Sequence, residues 1–248
     1  PTRGSGSGMT ALILRDVQRV FREPGRLITL IATIVVPYAV QALGLTSLNP
    51  PISALVLMAA LIPFMNSLRV LTRTKGLQRC FPFDPGQVKQ AAMVVPGILA
   101  LVWSLAALPA FLGVAGGVEV EPLRALLTTL VTGVAGLIAA VRWVSAKPAD
   151  YSGPIVSTGV GAMPPGLLFS LLRGIDMVAL ITLPVVFGWP TWISFLIALV
   201  AFMVLRTGID RDQLMEQQAE QKQLLEEERA LRAGNAAPKE KIKVQRKR

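Results

Sequence analysis

The chain has 248 residues, of which 52% are apolar and 16% are charged, and its formal net charge is +10. A soluble domain normally carries about a quarter charged residues, and here the apolar residues fall in long uninterrupted blocks, so the composition favours a membrane protein. The absence of histidine and the presence of one cysteine, Cys80, exclude an internal disulfide, a histidine general base and histidine-ligated metal. Because Cys80 also lacks a histidine partner, the sequence predicts that the chain is not an enzyme.

The N-terminal segment predicts a linker followed by a surface helix. Residues 1–8, PTRGSGSG, have a linker composition, and we interpret them as an engineered scar before Met9 or as the end of a preceding segment. Residues 9–26 then predict an amphipathic helix in the headgroup plane. Its basic face carries Arg15, Arg19 and Arg22, and its apolar face carries Ile13, Val17, Val20 and Phe21. This helix is either an anchor or a lever that connects the bundle to a cytosolic partner.

Six apolar segments within residues 27–207 predict transmembrane helices. They are Leu27–Gly44, Ile52–Leu68, Ala91–Leu112, Leu123–Val141, about Leu171–Phe187, and Pro190–Leu205. Lipid offers no partner to exposed backbone polar groups, so each span satisfies its own hydrogen bonds as a helix. The predicted fold is therefore all-α, a six-helix transmembrane bundle. Prolines inside these spans predict local weakening of the helices: Pro37, Pro63, Pro96, Pro109 and Pro184.

The lysines and arginines predict the orientation of the bundle. All 25 of them except Arg124 precede the first span, follow the sixth, lie between spans two and three, or lie between span four and the first turn of span five. By the positive-inside rule that face is cytoplasmic, and both termini are inside. Topology and anionic lipid therefore explain the basic charge, and we expect no nucleic acid partner.

The longest predicted loop, Arg69–Gln90, contains the stretch LQRCFPFDPG. Pro82 and Pro85 stiffen it and push the preceding residues out of helical geometry. Phe81 and Phe83 lie in these basic surroundings, so either a partner docks here or the two rings dip into the bilayer interface.

Two polar or small-residue patterns occur inside the spans. Arg173 and Asp176 are one helical turn apart and can pair, either as part of an ion or substrate path or as side chains that reach the inner surface. In the fourth span a face for close helix packing is predicted from Gly133, Gly136 and Ala140. The chain contains no P-loop motif, so it cannot use ATP by itself.

The C-terminal segment predicts two further regions. Residues 208–233 are rich in Gln and Glu and predict a cytosolic helix with weak heptad character. Residues 234–248 predict a basic disordered tail that rests on anionic headgroups.

Two stretches carry a family resemblance: LILRDVQRVFREPGRLITLI, and LQRCFPFDPGQVKQAAMVVPGILALVW. With six spans and both ends inside, the chain resembles the permease subunit of an ABC-2-type ABC transporter. The stretch DYSGPIVSTGVGAMPPGLLFSLLRGIDMVAL is similar to a poorly characterised bacterial family of ABC-2-like membrane proteins with two six-span halves, of which this chain resembles the C-terminal half. One departure is VFGWPTW, which leaves no space for the re-entrant hairpin usual between spans five and six.

The resemblance implies an exporter subunit in a bacterial inner (plasma) membrane. A separate ATPase subunit would bind ATP and magnesium, and this chain would bind no cofactor or metal. The coupling loop would contact that ATPase through Gln78, Arg79, Phe81, Pro82, Phe83 and Asp84, with Arg15 and Arg19 in support. The remaining partners would be membrane lipids and either a second copy of the chain or a second six-span half. The substrate would be hydrophobic or amphipathic.

A second hypothesis is a scaffold or assembly subunit that does not transport. It would recruit cytosolic proteins through the predicted helix over residues 208–233. Deletion of this helix separates the two hypotheses, because only a scaffold would lose complex assembly while its membrane bundle stayed intact.

Overall fold

Helices make up nearly all of the chain that the structure describes. The computed structural model describes residues 9–73, 85–114, 116, 119–146, 156–158, 161–163 and 172–207. These residues belong to a unit that spans Pro1–Thr207, and a second unit, Gly208–Arg248, lies outside the described residues. The linker over residues 1–8, the cytosolic helix over 208–233 and the disordered tail over 234–248 therefore stay predictions.

The described helices follow the order of the predicted segments. They are α1 (Met9–Arg22), α2 (Pro24–Ala32), α3 (Val35–Ala42), α4 (Asn49–Leu61), α5 (Asn66–Arg73), α6 (Pro85–Phe111), α7 (Pro122–Ser145), α8 (Ile175–Val186) and α9 (Thr191–Thr207). Short 3-10 turns, Thr46–Leu48 and Ile62–Met65, precede and follow α4.

A proline interrupts the first predicted span. α2 ends at Ala32 and α3 begins at Val35. The reason is that Pro37 has no N–H with which to bond the carbonyl of Thr33, four residues earlier. That carbonyl accepts instead from the N–H of Val36 at 3.1 Å, which tightens the turn.

Neighbouring helices hold both sides of this break. The indole Nε1 of Trp103 in α6 donates to Oγ1 of Thr33 at 3.0 Å. The hydroxyl of Tyr38 in α3 donates to the carbonyl of Ala106 in α6 at 2.9 Å. The break is therefore fixed against α6 rather than free.

The second predicted span is interrupted at Pro63, which lies in the 3-10 turn between α4 and α5. By contrast, Pro96 and Pro109 lie inside α6 without ending it, and Pro184 lies inside α8. Proline thus breaks some of these spans and only perturbs others.

α7 is the central helix of the described bundle, and it packs against α4, α6, α8 and α9. Its small residues allow a close approach on two sides. A Cβ at Gly136 would lie 3.0 Å from the carbonyl oxygen of Ala54 in α4, and a Cβ at Gly133 would overlap the hydroxyl of Ser104 in α6. Ala140 is fully buried. The close helix packing predicted at Gly133 and Gly136 is therefore confirmed, but it involves two neighbouring helices rather than one shared face.

Replacing Gly136 with alanine is expected to lower the unfolding free energy by about 1–3 kcal/mol, because the new methyl group would force α4 and α7 apart. The matched control is Gly97→Ala in α6, whose new methyl group would meet only Cδ2 of Leu137 at 3.9 Å. This control is expected to be neutral or to gain up to about 1 kcal/mol from helix propensity. Thermal unfolding of both detergent-purified variants, followed by circular dichroism, measures the difference. Equal stability would contradict the close helix contact.

In the described part of the chain, four helical segments are long and apolar enough to cross a bilayer. They are Pro24–Ala42, Thr46–Val70, Gln87–Phe111 and Pro122–Ser145, and they coincide with the first four predicted spans. Where the fifth and sixth spans are predicted, α8 has 12 residues and α9 has 17. A helix of 12 residues extends only about 18 Å, against about 30 Å of hydrocarbon. The count of six spans therefore stays a prediction.

Besides the helices, the described residues include a short β-hairpin that was not expected from the sequence. Val156–Thr158 (β1) pairs antiparallel with Gly161–Met163 (β2), with Ser157 opposite Ala162. It belongs to the Gly- and Ser-rich connection between α7 and α8, where two residues separate the strands, as in a tight hairpin.

Candidate functional site at the basic end of the bundle

The bundle has two distinct ends. At one of them, a cavity of about 250 Å³ is lined by Gln90 and Met93 from the start of α6, Val141 from the end of α7 and Leu205 from the end of α9. We call this the basic end, because Arg142, one residue beyond Val141, lies there. Residues from the connections that follow α3, α6 and α8 line one cavity at the opposite end, among them Thr46, Val120 and Gly188.

α1 is fastened to the basic end by its acidic side chain. The hydroxyl of Ser67 in α5 donates a short hydrogen bond to Oδ1 of Asp16, and α1 also packs along α6. The predicted basic face is exposed, with Arg15, Arg19 and Arg22 all at the surface. α1 therefore presents three cations while it is held to the ends of two spans.

The apolar face of α1 packs on the bundle for most of its length. Ile13, Val17 and Val20 are half-buried as predicted. Phe21 is instead 75% exposed, although it belongs to the same predicted face. An exposed phenyl ring on this helix suits the bilayer interface, which satisfies an apolar surface without a protein contact.

A second set of contacts joins the turn after α1 to the break in the second span. The two carboxylate oxygens of Glu23 lie 3.7 Å from Nε of Arg19 and 2.6 Å from Nε of Arg26. Nη1 of Arg26 then donates to the carbonyl oxygen of Pro63 at 3.0 Å. The ion pairs are partly exposed and individually weak, but together they fix the turn. Glu23 also precedes α2, where negative charge suits the helix dipole.

A third contact joins α7 to α8. Nη2 of Arg142 lies 2.6 Å from Oδ2 of Asp176. The other carboxylate oxygen of Asp176 accepts the backbone N–H groups of Gly174 and Met177, both at 2.8 Å. Asp176 therefore binds the guanidinium of Arg142 on the neighbouring helix. It also binds backbone N–H groups at the start of its own helix, where the helical hydrogen bonds are incomplete. Nε of Arg142 is buried without a hydrogen-bond acceptor among the described residues.

The glycine before α8 lets this contact form. Gly174 has a φ of +91°, which side-chain-bearing residues rarely adopt. A Cβ here would lie 2.9 Å from Sδ of Met58 in α4 and 3.0 Å from the carbonyl oxygen of Ala139 in α7. The turn into α8 is thus pressed against two other helices, and this aligns Asp176 with Arg142.

The predicted site residues divide into two groups. The coupling-loop residues lie outside the described residues: Gln78, Arg79, Phe81, Pro82, Phe83 and Asp84. Arg15 and Arg19 are described and exposed, as stated above. For Asp176 the structure gives Arg142 as an ion-pair partner, whereas the predicted pairing with Arg173, which is half-buried, stays a prediction.

Sequence reasoning missed the contacts of Asp16, Arg26 and Arg142. A signal for the last of these was present, because the positive-inside analysis puts Arg142 and Asp176 on the same side of the membrane. For Arg26 the signal was weaker, since a proline carbonyl in a broken helix is an acceptor that periodicity does not reveal.

The described residues hold no group of three or more Cys, Asp or Glu side chains able to bind a metal ion. The expectations that the chain binds no cofactor and is not an enzyme stay predictions. The basic end combines the exposed cations of α1 with two contacts that join helix ends, those of Arg26 with Pro63 and of Arg142 with Asp176.

Fold and site together define a helical membrane protein. Large apolar side chains lie exposed along the helices, for example Ile28, Leu101 and Leu196, as expected where helices face lipid. Within this class the chain belongs to the Family of unknown function (DUF6297), which matches residues 1–154. No curated protein and no solved structure matches the chain.

Proposed function

We propose that the chain is the membrane subunit of an ATP-driven exporter of the ABC-2 type. In this proposal it crosses a bacterial plasma membrane six times, with the basic end and both termini in the cytoplasm. A separate ATPase subunit binds ATP and magnesium and contacts the loop that connects α5 to α6. The export path forms with a second copy of the chain or a second six-span half, and it accepts a hydrophobic or amphipathic substrate.

The observation that supports this proposal is a set of hydrogen bonds that hold α1 and the start of α2 to the parts of the bundle that the ATPase would move. Asp16 accepts from Ser67 in α5, which leads directly into the proposed coupling loop. Arg26 at the start of α2 donates to Pro63, at the break of the second span. A force applied at the coupling loop would therefore reach α1 and both interrupted spans through direct contacts, which favours a lever over a passive anchor.

The proposal is tested by a loop variant that combines Arg79→Glu with Phe83→Ala. We expect wild-type chain, tagged and purified from its own membranes after mild cross-linking, to capture an ATPase with Walker motifs. The loop variant is expected to reduce this capture about tenfold or more, because a charged and an aromatic anchor would both be lost from the contact. Quantitative mass spectrometry of the captured proteins measures the change.

The matched control changes one charge and removes one phenyl ring at the opposite end, through Glu119→Lys with Phe187→Ala, both at exposed residues. It should capture the ATPase as the wild type does. Cys80, the single cysteine, supplies the orientation control: a thiol reagent that cannot cross membranes should label it only from the cytoplasmic side. Undiminished capture by the loop variant, or labelling of Cys80 from outside, would overturn the proposal.

A scaffold that does not transport is the alternative, and one observation favours it. α8 ends at Val186 and α9 begins at Thr191, so residues 187–190 leave no room for a re-entrant hairpin at the export gate. Deleting residues 208–248 separates the two functions. A scaffold would lose its cytosolic partners on this deletion, whereas an exporter would keep its ATPase.

A further inference from the structure

Another cavity lined by described residues lies at the end opposite the basic end and has a volume of about 300 Å³. This is the lower limit of the size of ligand sites in proteins. Polar and apolar side chains line it together. Gln41, Arg124 and Thr128 contribute polar groups, and Phe111 and Val185 contribute apolar surface. A ligand that fills this cavity must therefore carry both a polar and an apolar part.

A buried hydrogen-bond network sets the polarity of Gln41. Nδ2 of Asn49 donates to the carbonyl oxygen of Pro37 at 3.2 Å and to Oε1 of Gln41 at 3.3 Å. Oδ1 of Asn49 accepts from the hydroxyl of Ser53 at 2.7 Å, which fixes the orientation of the Asn49 amide. Since the oxygen of Gln41 is used as an acceptor, its NH₂ group is left as a donor.

Gln41 is 97% buried, since only 3% of its surface is exposed. Its side chain lines the cavity. A hydrogen-bond donor in the wall of this cavity favours a ligand that carries an acceptor atom.

Arg124 supplies a full positive charge at the same cavity. It is the one lysine or arginine of the sequence predicted to lie away from the cytoplasmic face. Glu121 lies three residues earlier on the same helix end, the usual spacing for an ion pair. Within the described ranges, however, Arg124 forms no ion pair with Glu121 or Glu119. The side chain lines the cavity instead.

The start of α7 adds to this positive potential. Arg124 lies in the first turn of α7, and no side chain caps its N-terminus at Glu121. Free N–H groups and the helix dipole favour an anion at such a position. Arginine, an amide donor and a helix N-terminus therefore converge on one cavity that has apolar walls on its other side.

We propose that this cavity binds the anionic headgroup of an amphipathic molecule, a phosphate or a carboxylate, with its apolar part against Phe111 and Val185. Arg124 and the NH₂ group of Gln41 donate to the headgroup oxygens. The source is either a phospholipid of the surrounding leaflet or a free amphiphile. Binding here is separate from the proposed transport function, because a resident lipid would occupy the cavity of a scaffold equally well.

The test uses full-length protein in nanodiscs of zwitterionic lipid and titrates in dodecyl phosphate by isothermal titration calorimetry. We expect saturable binding that Arg124→Gln weakens about ten- to a hundredfold, as for loss of a hydrogen bond to a charged group. Arg124→Lys, which keeps the cation, should retain most of the affinity. Dodecyl phosphocholine, with the same tail and no net charge, should bind weakly, and inorganic phosphate alone should not bind measurably.

The matched control is Arg22→Gln, which removes the same charge from an exposed arginine on α1 at the other end of the bundle and should leave the affinity unchanged. Nanodiscs of phosphatidylglycerol identify the source: loss of added dodecyl phosphate binding there indicates a resident lipid, and persistence indicates a free amphiphile. Equal affinity of Arg124→Gln and wild type, or equal binding of the zwitterionic probe, would overturn the proposal. Since Arg124 is exposed, Arg124→Gln should fold normally, and size-exclusion chromatography checks this.

Discussion

Replacing Gly174 with alanine is expected to lower the unfolding free energy of the bundle by about 2–5 kcal/mol, the largest effect of any single substitution considered. Two penalties combine. The backbone at φ +91° disfavours any side chain by about 1–2 kcal/mol. The new methyl group would also meet Sδ of Met58 and the carbonyl oxygen of Ala139 at 3.0 Å or less, which adds about 1–3 kcal/mol of overpacking.

Gly188→Ala is the matched control for this prediction. Gly188 also has a positive φ, +73°, but a Cβ there would have no atom within 4 Å. It should show the backbone penalty alone, about 1–2 kcal/mol. Thermal unfolding of the two variants in the same detergent measures the difference. If both lose the same stability, the packing of the α8 turn against α4 and α7 is refuted.

Replacing Asp176 with alanine is expected to lower the unfolding free energy by about 1–3 kcal/mol. The carboxylate binds the N–H of Gly174 and the guanidinium of Arg142, and both lose their acceptor in this variant. The side chains are more than one-third exposed, so water replaces part of the ion pair and the N-terminal hydrogen bond makes the larger contribution.

Asp176→Asn separates these two contributions, because an amide oxygen still accepts the N–H while the charge is gone. It should lose no more than about 1 kcal/mol. A double-mutant cycle of Asp176→Ala with Arg142→Ala then measures the coupling directly. A coupling energy of zero, with full additivity, would show that the contact at 2.6 Å does not stabilise the fold.

Sequence predicts the membrane part of this fold well where the bilayer itself dictates the pattern. A span must be apolar along its length, so hydropathy alone located the segments from Pro24–Ala42 to Pro122–Ser145. The small residues of α7 also predicted a close helix contact, because such contact in lipid requires them. The shortness of α8 was not predicted, because composition does not show that the helix begins only after Gly174.

Contacts between helices were predicted less well, for a physical reason. Asp176 has Arg173 within one turn on its own segment, so spacing favours that pair. The observed partner, Arg142, is a lateral neighbour, and lateral order in a bundle depends on packing that hydropathy does not encode. The same holds for the interrupted spans: proline positions were evident, but only the structure shows that Pro63 receives a donor from Arg26.

The hydrogen bond between Trp103 and Thr33 has a mechanical consequence for the first span. The indole is almost completely buried, so a change in angle between α2 and α3 that separated the two groups would leave its N–H without either water or a protein acceptor. That loss amounts to about 1–3 kcal/mol. This penalty favours one angle between α2 and α3, and any process that changes the angle has to supply it.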